Sequence, residues 1–269
     1  MPLDTSTYAL AHLRLDGRRW NELRHLHAQI STQASSDGSS YLEQGNTKIL
    51  CTVSGPQEQR RNAPGGRQQQ AGAGSDTEAQ IVVEMNLAAF SSTDRKKRAR
   101  SDKRVQEMQF TIAEAFRGTL FTNLYPHSTI TITLHVLSQD GSLLTACLNA
   151  ATLALVDAGI PMSDYVSAVT VASAPSSDQS LDEVDPLLDL NGLEEQELPF
   201  MTVGTTAAGT GEGVEGEAKI MVLVMETKVQ MGRLEAMLSV GVDGCRRVRG
   251  LLDDVVRTQG RRVMENKIS

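Results

Sequence analysis

Residues 139–162, QDGSLLTACLNAATLALVDAGIPM, set a small polar turn, Asp140-Gly141-Ser142, directly before a long apolar stretch that reads as a buried helix. A helix start offers unpaired backbone N–H groups and the positive end of the helix dipole, so this turn has the make-up of a phosphate cradle. The residues that follow are Leu143 and Leu144. Alkyl groups therefore stand where a phosphate pocket usually places a hydroxyl and a cation. A second signal is electrostatic: residues 95–104, RKKRARSDKR, hold seven cations and one acid in a chain of formal net charge -7. Overall acidity argues against nucleic-acid binding over the whole surface, so any such binding must be local. The run suits RNA phosphates about as well as a solvated loop or a nuclear-import signal. No aromatic residue interleaves it, so sequence-specific stacking of single-stranded bases is not expected there.

Carboxylates gather at Asp182, Glu183, Asp185, Asp189, Glu194, Glu195 and Glu197. Asp189, between Leu188 and Leu190 in what reads as a short apolar strand, is the one expected to be held rigidly, with metal or acid–base work open to it. The others read as solvated loop acids. His12, His25, His27, His127 and His135 show no metal-site spacing, and neither a G-x-S-x-G elbow nor a P-loop occurs. Cys51, Cys147 and Cys245 are scattered through apolar segments without a C-x-x-C, which reads as three buried reduced thiols. Neither a metal nor a cofactor is implied, and nucleophilic hydrolysis finds no support.

These residues need elements to hold them. Alternation reads as strands over 26–32, 39–44, 47–55 and 79–87, with Asp37-Gly38 and Gly45-Asn46 as turns. The Gly-, Gln- and Arg-rich stretch between the last two has no periodicity and reads as a mobile loop. Val105, Met108, Ile112, Ala115 and Thr119 fall on one face of a helix capped by Ser101 or Asp102 and closed near Gly118. A strand over 128–137 precedes the helix behind the DGS turn, which ends near Gly159. The second part repeats the theme with strands over 165–173, 187–190, 198–204 and 218–227. A long helix follows, with Leu234, Leu238, Val242, Cys245, Val248, Leu252 and Val255 on its apolar face. The reading is a mixed α/β (α+β) fold in two halves, 12–160 and 161–265. No apolar run is long enough to span a bilayer and the start lacks a signal peptide's pattern, so the expectation is a soluble intracellular protein without membrane partners.

RLDGRRWNELR (14–24), DGSSYLEQGNTKILCTVSGPQE (37–58), the DGS turn with NAATLALVDAGIPM (149–162) and LLDLN (187–191) occur in this order, and together they resemble the RNase PH family over roughly residues 12–260. Within that family the chain is most similar to the eukaryotic RNA exosome ring subunit that corresponds to the archaeal catalytic ring subunit. The resemblance implies an RNase PH fold and a hexameric ring whose channel carries single-stranded RNA. It also implies, in active members, phosphorolysis of the last RNA linkage. Active relatives grip the attacking phosphate at positions matched here by Leu143 and Leu144, after Ser142. Of their two acids, the first matches Glu195 and the second falls at Leu198 and Pro199. Their RNA-contacting Arg pair matches Lys103 and Arg104. The implied role is a non-catalytic ring subunit that threads RNA for 3′–5′ processing and decay. The implied partners are other RNase PH-like subunits, RNA-binding cap subunits and a hydrolytic exoribonuclease, in nucleus, nucleolus and cytoplasm. An active phosphate-dependent exoribonuclease is the alternative.

Overall fold

A computed structural model describes residues 13–58, 78–92, 95, 102–173, 186–207 and 218–268. Most of the cationic run, nearly all of the stretch between residues 58 and 79, most of the two acidic Gly- and Ser-rich loops, and His12, Asp182, Glu183 and Asp185 lie outside the described residues.

Period-two alternation builds a first sheet from β1 (Leu26–Ile30), β2 (Gly38–Gln44), β3 (Thr47–Glu58), β4 (Gln80–Leu87) and β5 (Ser128–Ser138). Their order is β1-β2-β3-β5-β4. On β3 and β5 every second side chain is buried, Ile49, Cys51 and Val53 facing the same core as Ile130, Ile132 and Leu134. β4 runs parallel to β5, and parallel neighbours need a crossover. Helix α1 (Lys103–Arg117) supplies it, packing on β4 through Val105, Ile112, Ala115 and Phe116. Its cap is Asp102, whose side chain accepts the Arg104 N–H.

Helix α2 (Leu143–Asp157) buries every residue from Leu143 to Leu155 except Leu144, which is half-buried. It lies against β2 and β3 on one side and β6 (Ser167–Ser173) on the other, and an apolar circumference is what such a position requires. Its polar residues are all paired. Asn149 Nδ2 donates to Ala168 O at 3.1 Å and Asn149 Oδ1 accepts from Ala168 N at 2.9 Å. Thr152 Oγ1 donates to Val166 O at 2.8 Å. The helix is thereby tied to the second sheet.

That sheet is antiparallel, in the order β7-β6-β8-β9, with β7 (Pro186–Leu188), β8 (Phe200–Ala207) and β9 (Ala218–Met225). A short α3 (Gly192–Glu197) joins β7 to β8, and α4 (Met231–Ile268) packs across β6, β7, β8 and β1. The buried stripe of α4 differs from the expected one. Met237, Gly241, Gly244, Cys245, Val248 and Leu252 face the sheet, while Val242 is only half-buried. The glycines explain the shift, because a Cβ on Gly241 would stand 3.0 Å from Val203 and one on Gly244 would stand 2.7 Å from Leu188. Close approach of helix to sheet requires a bare backbone at both.

Among the described residues, no helix is long and apolar enough to cross a membrane. The three cysteines are free and buried, and burial pushes their thiols upward, Cys245 to about 11.

Candidate functional site

Beneath the DGS turn lies a buried ionic frame. Asp189 follows β7 rather than sitting within a strand, at φ 54, and is fully buried. Its Oδ1 accepts from Arg24 Nε at 3.0 Å, Arg24 Nη2 at 2.8 Å and Gln44 Nε2 at 2.9 Å. Its Oδ2 accepts the Arg24 backbone N–H at 2.8 Å. The acid singled out for metal or proton work is therefore saturated by structural donors. Arg14 makes a parallel contact, donating to both carboxylate oxygens of Glu194 and to the carbonyls of Leu188 and Asp189. Bidentate guanidinium–carboxylate pairs of this kind are rigid as well as strong. Glu194, expected to be a solvated loop acid, is instead 2% exposed. It closes a capping box with Asn191, each side chain accepting the other's backbone N–H.

The turn is clamped onto this frame. Asp140 O accepts from Arg24 Nη1, Asp140 Oδ1 accepts from Gly192 N at 3.0 Å, and Asp140 Oδ2 accepts from Asn46 Nδ2 at 2.9 Å. Gly141 has φ +74, and a Cβ there would stand 2.5 Å from the Asn191 backbone. Only glycine fits that conformation and that approach. Ser142, at φ 52, turns its hydroxyl to Leu190 O at 2.9 Å and caps nothing. Its backbone N–H, one of the donors a bound anion would use, donates to Glu195 Oε2 at 2.9 Å. The chain's own carboxylate occupies that donor. Burial raises the Glu195 pKa; the Ser142 N–H, Arg24 and Arg104 act in the opposite sense, and nearby Glu226 adds to the rise.

Leu143 is buried and Leu144 half-buried at the base of a cleft of about 160 Å³, also lined by Met108, Phe200 and Val224. Arg104, Glu107 and Glu226 line it as well. Lys103 and Arg104 are both exposed at the first turn of α1, and Arg104 reaches Glu226 at 3.4 Å. The fold thus brings Ser142, Leu143, Leu144, Glu195 and Arg104 to one cleft, with Lys103 next to Arg104 on the helix end. Leu198, where a second acid was sought, packs in a small cluster with Ala172, Leu187 and Leu190, under Trp20 and Phe200. Among the described residues, no group of three His, Cys, Asp or Glu side chains is placed to hold a metal ion.

With this geometry in hand, comparison with known proteins is informative. Residues 22–161 match the 3′ exoribonuclease family, domain 1, the RNase PH domain, and this span contains the first sheet, α1, the DGS turn and α2. The chain belongs to the RNase PH family. It is 38% identical over 262 residues to exosome complex component SKI6 of Saccharomyces cerevisiae, covering 96% of each chain. It is 36% identical over 245 residues to human exosome complex component RRP41, covering 91% of this chain and 90% of that one. The crystal structure of rice Rrp46 shares the fold at TM-score 0.69 and 21% identity, over 89% of this chain and 98% of that one.

Sequence reading of this RNase PH member missed Arg14, Arg24 and Gln44. Arg24 and its carboxylate partner are 165 residues apart, and nothing local marks them as a pair. The α3 cap was legible: Asn191 followed three residues later by Glu194 is the capping-box spacing.

Proposed function

We propose that this chain is a non-phosphorolytic ring subunit of an RNA exosome, whose α1 end helps line a channel that guides single-stranded RNA to a separate hydrolytic nuclease. One observation carries the non-catalytic part: Glu195 occupies the Ser142 N–H, and leucines hold the next two positions. A phosphate entering the cleft would meet a carboxylate and two alkyl groups, and its desolvation would go uncompensated. The names of the yeast and human relatives, exosome complex components both, support ring membership.

Threading rests on Lys103 and Arg104. Their exposure frees them for phosphate oxygens, and the surface pair between Arg104 and Glu226 is of a kind worth only about 0–1 kcal/mol, which RNA can displace. An unpaired sheet edge and exposed apolar side chains, Ile220, Leu223 and Met225 on edge strand β9, support a heteromer with other RNase PH-like subunits. RNA-binding cap subunits and residence in nucleus, nucleolus and cytoplasm belong to the same reading. The test is release of nucleoside diphosphate from RNA in the presence of inorganic phosphate, by the chain alone and in its reconstituted ring. No release is expected. Phosphate-dependent product that vanishes in Glu195→Ala would establish an active enzyme instead.

A further inference from the structure

We propose that the cleft between α1, the start of α2 and β9 binds an alkylammonium group, a cationic amine head on an apolar stem, in place of an anion. The charged residues lining it are Glu107, Glu195 and Glu226 against the single cation Arg104, which is itself paired with Glu226. Three carboxylates against one guanidinium give the cleft the opposite sign from a phosphate site. An independent observation concerns hydrogen bonding. Thr170 lines the cleft and is 1% exposed, yet its hydroxyl has no partner, and Gln139 Oε1, on another lining residue, is likewise buried and unpartnered. Buried polar atoms without partners are uncommon in folded proteins and mark places where a group is missing.

The chemistry of these atoms selects the ligand. An amide oxygen and a carboxylate only accept hydrogen bonds, and a hydroxyl accepts as readily as it donates, whereas an ammonium carries three donors and no acceptor. Leu143, Leu144, Met108 and Val224 line the same space and suit a methylene stem, the arrangement that long cationic side chains favour. The volume of about 160 Å³ is of the order that takes one six-carbon ligand. A free aliphatic polyamine and a lysine side chain on another subunit share this chemistry.

The inference rests on the proposed absence of phosphate binding, and its test separates the two. The ¹³C-methyl signals of Met108, Leu143 and Leu144 in the full chain are followed while n-pentylammonium or inorganic phosphate is added. Saturable shifts are expected with n-pentylammonium, weakened at least tenfold in Glu195→Gln, and none with phosphate. Absence of saturable shifts with n-pentylammonium, or equal affinity in Glu195→Gln, overturns the alkylammonium site alone. Saturable shifts with phosphate overturn both it and the non-phosphorolytic reading. Leu144→Lys places an amine inside the cleft and should abolish n-pentylammonium binding in a folded chain; unchanged affinity there also overturns the proposal. Spermidine added to the chain and carbodiimide coupling in the assembled complex then identify the source. Tighter binding of spermidine than of n-pentylammonium assigns a free polyamine, and an amide bond between Glu195 and a lysine of another subunit assigns a protein ligand.

Discussion

Arg24 and Asp189 form a pair at 2.8 Å with side chains only 6% and 1% exposed. Removing one partner of a buried pair strands the other charge, which costs about 3–5 kcal/mol. Arg24→Ala should therefore lower unfolding free energy by that amount in urea titration, and Arg24→Lys should restore only part of it, because a point charge cannot replace the fork that reaches Asp189 and Asp140 together. A loss under about 1 kcal/mol would mean that water or neighbouring donors replace the guanidinium. Glu195 makes a prediction of opposite sense. Its folded pKa lies above its usual 4.5, so the folded state holds the proton more tightly than the unfolded chain. Stability from this group falls as pH rises from near 4.5 through the raised value. Glu195→Gln should consequently raise the thermal midpoint at pH 7 by a few degrees, on the order of 1 kcal/mol, and the gain should vanish below pH 4. A gain of equal size at every pH would show that ionisation is not its cause.

At the scale of elements, α4 is a long helix whose glycines differ in purpose. Gly244 faces Leu188 at 2.7 Å from a built Cβ, while Gly250 meets nothing within 4 Å. Gly244→Ala should overpack the helix against β7 and cost about 1–3 kcal/mol. Gly250→Ala should gain about 0.5–1 kcal/mol from helix propensity alone. Chemical denaturation of the two variants side by side measures this, and equal effects would show that intrinsic propensity outweighs packing at both sites. The same contrast explains why a periodicity count that treats glycine as polar draws the stripe through Val242. Glycine at a helix–sheet contact is an interior residue without a side chain.

For the whole molecule, the decisive surface is the end of α1. Lys103→Glu with Arg104→Glu should weaken RNA protection by the reconstituted ring without disturbing assembly, since both side chains are exposed and the helix buries its opposite face through Val105 and Ile112. Each phosphate contact on a single strand contributes about 0.7 to the slope of log affinity against log salt. Two lost contacts should therefore flatten that slope by about 1.4, uniformly across RNA sequences. Unchanged protection and slope would reduce the pair to a solvated helix start.

Elements and family were legible in the chain because their signals are local. Alternation placed β1 to β5 within a few residues, Asp102 and Gly118 bounded α1, and the apolar run behind Ser142 foretold a helix buried on all sides. Leu143 and Leu144 likewise told, from residue type alone, that a phosphate grip is missing. Tertiary structure alone decided what fills its place. Glu195 reaches the Ser142 N–H from 53 residues away, Arg24 holds Asp189 across 165, and Arg14 holds Glu194 across 180. Periodicity and capping are fixed by backbone geometry within one or two turns. The partner of a buried charge is fixed by which strands the sheets bring side by side, and no local pattern records that.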